Sequence, residues 1–295
     1  MPDSNPAQPS NPQRLVDCYF RAEAPVWEQI YRGTGVLEVI HQQRLRIILD
    51  LAQRYTQPES TRVLDAGCGA GPAAIALAGR NYNVHAVDPV LEMVELTRQG
   101  AARQGVQSRV KCALGDVNNL AFADESFDLV IAAGVLPWLP SPDTALKEMC
   151  RVLKPGGCLI LSTDNRWGLC WFLDPLTNPL LKPIKDSLQS VLWRLGAATP
   201  RVRAQMTPIG ESQKLLRANA LRILEGTTLG FGPLSIFRYD LLPRPVGLRL
   251  DRMLQALADR NYPLLRRAGA QYVVAARKPA PSETLKSGPY SAARG

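Results

Sequence analysis

The sequence predicts a doubly wound α/β fold, a seven-stranded sheet flanked by helices, with a helical cap inserted after the fifth strand. Three observations carry that expectation. The run Arg62 to Pro72, R-V-L-D-A-G-C-G-A-G-P, passes from a short apolar strand through three alternate glycines into a helix opened by proline. Short apolar runs then alternate with helical patterns as far as Ser162. One of those runs, Phe127 to Ala133 (F-D-L-V-I-A-A), is almost continuously apolar, as expected of a strand that a parallel sheet covers on both faces.

Taken in order, residues 1–13 are rich in Pro, Ser and Asn, cannot build a packed face, and are expected to form a disordered tail. Residues 14–278 are expected to form one domain, opened by a helical lid over 14–56. Within the lid, Arg14 to Tyr31 carries Leu15, Val16, Tyr19, Phe20, Trp27, Ile30 and Tyr31 at the spacing of an amphipathic helix, with a break expected near Pro25. Val36 to Tyr55 reads as a long helix with Leu37, His41, Leu45, Ile48 and Ala52 near one stripe. After the first strand come Asn83–Asp88 and Arg109–Leu114 as strands two and three, then Phe127–Ala133, then Cys158–Ser162 as the fifth. The cap, residues 164–209, holds three of the chain's five tryptophans, Trp167, Trp171 and Trp193, and reads as two or three short amphipathic helices interrupted by Pro175, Pro179 and Pro183. A helix over Gly210–Ala220, a strand over Leu221–Leu229, a helix over Leu248–Arg260 and a strand over Gln271–Ala276 complete the pattern, and residues 279–295 read as a flexible tail.

The glycine run is a nucleotide-loop signature that fits two registers. From Gly69, G-A-G-P-A-A satisfies the dinucleotide pattern, which wants its first glycine directly at the strand end; here four residues follow Leu64 first. One of them is Asp65, whose carboxylate would repel a pyrophosphate on the helix N-terminus. A cofactor with no phosphate, carrying an ammonium and a sulfonium, suits an acid at that place.

On these residues the chain resembles the class I S-adenosylmethionine-dependent methyltransferases, a Rossmann-like group whose first motif is a strand followed by D/E-x-G-x-G-x-G. Asp65, Gly67, Gly69 and Gly71 match position by position, with Cys68 a small residue inside the loop. Asp88, followed by Pro89, ends the second strand about 20 residues on, the spacing at which an acid receives ribose hydroxyls. The resemblance further implies that Asp116, with Val117, reaches the adenine amino group and that Ala133 closes the fourth strand against the cofactor. The run R-V-L-K-P-G-G at 151–157 is similar to the ubiquinone and menaquinone methylase branch, and Y-F…W-E-Q-I-Y resembles the magnesium-protoporphyrin methyltransferases. The implied cofactor is S-adenosyl-L-methionine and the implied activity methyl transfer to a small acceptor, with no metal. Taken singly, Asp88 could be a helix cap and Asp116 a turn former.

No residue stands out as a catalytic base. The chain has two histidines, His41 on the long helix and His85 within the second strand, and both read as structural. Related methylases frequently place histidine in the loop after the fourth strand, whereas Gly134 to Pro140 here carries Pro137 and Trp138. That substitution suggests a hydrophobic wall. Tyr31, Trp138, Trp167 and Trp171 are therefore the candidate acceptor residues, and the acceptor is expected to be a lipophilic small molecule of isoprenoid, quinone-like or lipid type.

The charge is uneven: residues 1–150 carry 13 Lys+Arg against 17 Asp+Glu and residues 151–295 carry 22 against 9, within a total of +9. A basic second half points to an anionic partner, with peripheral contact to an anionic membrane surface as one reading. An RNA or protein methyltransferase, or a partner subunit that binds the cofactor without chemistry, are the alternatives. The apolar cap and the absence of a basic–aromatic RNA-binding module weigh against nucleic acid. The six cysteines form no C-x-x-C pair, and neither a secretory leader nor an 18-residue apolar run is visible, so a cytoplasmic protein is expected. Nothing in the sequence speaks to oligomeric state.

Overall fold

The computed structural model describes residues 12–187, 203–237, 239–260 and 262–280. The expected tail 1–13 lies outside them apart from Pro12 and Gln13, which open the first helix, α1 (Pro12–Gln29). The expected tail 279–295 and the part of the cap carrying Trp193 also lie largely outside the described residues.

The central sheet is built from β1 (Arg62–Ala66), β2 (Asn83–Asp88), β3 (Val110–Leu114), β4 (Phe127–Ala133), β5 (Leu153–Asp164), β6 (Arg222–Leu229) and, after a short hairpin of β7 (Ser235–Ile236) and β8 (Tyr239–Asp240), β9 (Gln271–Arg277). Its order is β3-β2-β1-β4-β5-β9-β6. The first five strands run parallel, and β9 lies antiparallel between β5 and β6. The order reverses between β1 and β4, the place where such sheets bind ligands at their carboxyl ends.

The inner strands β1, β2, β4, β5 and β9 bury residues on both faces, the edge strands β3 and β6 are partly exposed, and the core splits accordingly. On one face, Val63, Leu129, Ile160 and Val273 pack with α2 (Val36–Tyr55) and α3 (Pro72–Ala78). On the other, Leu64, Val130, Leu159 and Val274 pack with α5 (Pro142–Val152) and the helix Ile209–Ala218. Periodicity places α2, β2 and β4 at the bounds observed.

Three expectations are corrected. α1 runs unbroken through Pro25. Interior proline is costly, by roughly 3 kcal/mol; the opposing contribution is the burial of Val16 and Ala24 and the packing of Phe20 and Trp27 on Val90 and Met93 of the α4 region (Leu91–Arg103). The fifth strand begins at Leu153, not Cys158, because the P-G-G segment is stitched to the chain after β9: Gly156 N–H donates to Lys278 O at 2.7 Å and Lys278 N–H to Gly157 O at 3.0 Å. The Lys278 ammonium also donates to Cys150 O and Leu153 O at 2.9 and 2.8 Å, closing the end of α5. Finally, the helix expected from Leu248 starts at Arg244, and the β7–β8 hairpin precedes it; two-residue strands leave too short a pattern to be read.

After β5 the chain forms α6 (Leu169–Leu173), a 3-10 turn at Pro179–Leu181 and helical residues 182–187. No helix of the described residues is long and apolar enough to cross a membrane.

Candidate active site

A single cavity runs from the β1–α3 loop, under α1, to the end of β5. It begins where β1 stops. Gly67 and Cys68 N–H both donate to Val87 O, at 2.8 and 3.0 Å, which ties the loop to β2. Gly67 has φ 76°, and a Cβ there would stand 2.5 Å from Val135 Cγ2, so the close approach of the β4 loop requires glycine. Gly69 differs: a Cβ would meet nothing within 4 Å, because it faces the open cavity. Gly71 caps α3 with left-handed backbone and does not line the cavity.

Two carboxylates underlie the loop. Asp65, buried at 1% exposure, accepts from the Ala74 N–H of the first turn of α3 at 3.1 Å. It thus uses a helix N-terminus that a phosphate would otherwise occupy. Asp88 accepts from Gly69 N–H at 2.9 Å through one oxygen and from Val90 N–H at 3.0 Å through the other. Burial raises Asp65 to about 7, a shift opposed by the Ala74 bond and reinforced by the charge of Asp88. Burial likewise raises Asp88 to about 6, against the pull of its two backbone bonds. Asp116 is exposed and accepts from both Asn118 N–H and the Asn118 side-chain amide, at 2.8 and 2.9 Å, forming the turn that sequence reasoning allowed while still lining the cavity.

Nine of the ten residues expected at the cofactor, all but Gly71, line this one cavity: Asp65, Gly67, Cys68, Gly69, Asp88, Pro89, Asp116, Val117 and Ala133. Of the four expected at the acceptor, Tyr31, Trp138 and Trp171 line it. Trp167 lies outside, 45% exposed and stacked on Phe172 with ring centroids 6.0 Å apart. His85 packs between Phe122 and Phe127, away from the cavity.

α1 closes the cavity from above through aromatic contacts. Trp138 stacks on Tyr19 at 5.4 Å and meets Phe20 edge-on at 4.9 Å. Trp27 and Tyr31 both contact His41, at 5.6 and 6.0 Å. Burial, with the nearby Arg44 charge, lowers His41 to about 3, so its imidazole is neutral at physiological pH, and its Nδ1 is buried without a partner.

Sequence reasoning missed several cavity residues. Arg44, on α2, is 6% exposed; its guanidinium donates to the Tyr31 hydroxyl at 2.9 Å and stands 2.9 Å from where a Cβ of Gly134 would be. Among the described residues it makes no ion pair, and its Nε is buried without a partner. Its position on a helix full of charged residues gave no signal. Asp17, Asp164 and Gln271 also line the cavity. Around the loop, then, stand Asp17, Asp65, Asp88 and Asp116, and Arg44 is the one Lys or Arg in the cavity wall among the described residues. Such a wall fits a cationic adenosine ligand and disfavours a pyrophosphate.

The comparisons with known proteins agree with this geometry. Residues 64–161 match the Methyltransf_11 family, described as a methyltransferase domain. The chain is 36% identical over 124 residues to the tRNA 5-carboxymethoxyuridine methyltransferase of Escherichia coli (strain K12), covering 41% of this chain and 47% of that protein. It is 35% identical over 119 residues to the ubiquinone biosynthesis O-methyltransferase of Xanthomonas axonopodis pv. citri (strain 306), covering 40% and 49%. The matched segment thus spans about half the length of these curated relatives. Among solved structures, magnesium protoporphyrin IX methyltransferase from Synechocystis PCC 6803 with bound SAH superposes with a TM-score of 0.59 at 19% identity, covering 90% of this chain and 99% of that one. Residues 64–161 thus match a methyltransferase domain, and the fold is the one seen in the class I S-adenosylmethionine-dependent methyltransferases.

Proposed function

We propose that this chain, built on a class I methyltransferase domain, binds S-adenosyl-L-methionine and transfers its methyl group to a small, largely apolar acceptor. The observation that carries the reading is one continuous cavity in which the glycine loop, Asp88 and Asp116 share a wall with Trp138 and Trp171. When bound, the cofactor supplies an already activated methyl group, so the protein's task is alignment and exclusion of water.

Each wall residue has a part in that task. Asp88 has lone pairs beyond those used by Gly69 and Val90 and would receive the ribose hydroxyls. Gly69 leaves room for the ligand against bare backbone. Arg44 would hold the cofactor's carboxylate, which relieves a buried and unpaired guanidinium. Trp138 and Trp171 bound the acceptor chamber, Trp171 fixed by its indole N–H donating to Asn165 O at 3.0 Å. α1, clasped to Trp138, would keep water out.

The relative that acts on tRNA supports a second reading, a nucleic-acid acceptor, which the basic second half would suit. Trp171→Ala separates the two. With a lipophilic acceptor, the variant should lose turnover while S-adenosylhomocysteine affinity and melting temperature stay near wild type. Transfer of labelled methyl to bulk RNA by both proteins alike would instead assign the acceptor to nucleic acid and overturn the first reading.

A further inference from the structure

Resting on the methyl-transfer reading, we propose that Asp164 is the proton acceptor of the reaction and that the acceptor molecule reacts through a donor-bearing heteroatom, a hydroxyl or amine. Asp164 ends β5, two residues past Ser162, which pairs with Ala133 at the end of β4. It therefore stands at the carboxyl edge of the sheet beside the strand that carries Ala133 and Gly134 to the cavity. Its chamber is walled by Trp171, Gly232, Ala270 and Gln271.

Two acceptors of that chamber lack a close donor, although Arg44, whose charge acts on Asp164, lines the same cavity. Among the described residues the Asp164 carboxylate receives one long bond, from Gln271 Nε2 at 3.5 Å, while its backbone oxygen accepts from Thr207 N–H. Gln271 Oε1 is buried with no partner, and so is His41 Nδ1. A carboxylate and an unpartnered carbonyl oxygen in one apolar chamber are matched by a ligand that brings hydrogens, not by one that brings further lone pairs. Burial holds the Asp164 carboxyl above the ordinary carboxylate range, with Arg44 opposing, which strengthens it as a base. His41, the one imidazole lining the cavity among the described residues, is held neutral far below its usual range and is the weaker base.

The step balances. The acceptor O–H or N–H bond breaks with its proton passing to the Asp164 carboxylate, the heteroatom lone pair forms a bond to the methyl carbon, and the carbon–sulfur bond breaks with its electron pair going to the sulfonium sulfur, leaving a neutral thioether. No further reactant is needed.

The test compares 2-naphthol, 2-naphthylamine and 2-methoxynaphthalene binding to protein saturated with S-adenosylhomocysteine, read by ligand fluorescence. The first two carry a donor hydrogen and the third, of similar shape, carries none. Wild type should bind a donor-bearing probe at least tenfold more tightly than 2-methoxynaphthalene; the stronger of the two arms tells hydroxyl from amine. Asp164→Asn should erase most of that preference with S-adenosylhomocysteine affinity unchanged. Gln271→Leu, read the same way, covers the case in which Asp164→Asn does not fold. Equal binding of all three probes, no binding of any of them, or a preference that survives a folded Asp164→Asn overturns the proposal. Failure of S-adenosylhomocysteine itself to bind would overturn the methyl-transfer reading instead.

Discussion

Asp88→Asn offers the sharpest test of the cofactor site, because its effects on folding and on binding separate. In the free protein the carboxylate accepts from Gly69 and Val90 N–H. Asparagine keeps one carbonyl oxygen for one of them, and the other N–H loses its partner at a cost of about 1–3 kcal/mol. Against this, a carboxyl raised from 3.8 to about 6 is ionised at neutral pH at a cost of about 3 kcal/mol, which the neutral amide avoids. The two nearly offset, so the melting temperature of the free variant should shift by only a few degrees. Binding has no such compensation: a charge-assisted bond to a ribose hydroxyl contributes about 1.5–3 kcal/mol, so losing one should weaken affinity ten- to a hundredfold. Calorimetric titration with S-adenosylhomocysteine, paired with thermal melting, measures both. An affinity within twofold of wild type would refute the role of Asp88, and a collapse of the melting temperature would show the residue to be structural.

Three further outcomes are expected. Because Asp88 is raised in the free protein and the ligand's hydroxyls favour its ionised form, cofactor affinity should rise about tenfold between pH 5 and pH 8, levelling off above about 6; for the same reason the stability that Asp65 and Asp88 contribute to the free fold is present below about pH 4 and is lost as pH rises through about 6 and about 7. Affinity independent of pH over that range would contradict the placement of Asp88. Arg44→Met should weaken S-adenosylhomocysteine at least tenfold and leave methylthioadenosine, which lacks the amino acid portion, unaffected by calorimetry. Trp138→Ala, which removes the stack on Tyr19 and the edge contact with Phe20, should raise amide hydrogen exchange throughout α1 while the sheet stays protected; unchanged exchange in α1 would show that the clasp lies elsewhere.

The parts of the site that the sequence made legible are those where backbone geometry restricts the residue type. Gly67 must be glycine because of Val135, and Asp65 and Asp88 follow from strand ends at fixed spacing. A strand buried on both faces announces itself as an apolar run, which makes β4 legible to the residue, while β2 is legible by the acid that ends it. What stayed hidden has the opposite character. Arg44 sits on a helix with Arg46 and Arg54 and differs from them only by tertiary burial. Gln271 and Asp164 become neighbours through an antiparallel pairing of β5 with β9 that joins residues more than 100 apart. Pro25 reads as a helix break because local propensity cannot register what α1 gains from lying on Val90 and Met93.

The same α1, which lines the cavity with Val16, Asp17, Phe20 and Trp27, is held in two different ways. Its outer attachments are two solvent-exposed ion pairs, Arg21–Glu92 at 3.1 Å and Arg103–Glu28 at 2.8 Å, both to α4; its inner attachment is the ring cluster around Trp138. Added salt screens the first kind and leaves the second. On the methyl-transfer reading, added salt should therefore shorten the stay of a spent cofactor, with the aromatic cluster setting the slowest departure.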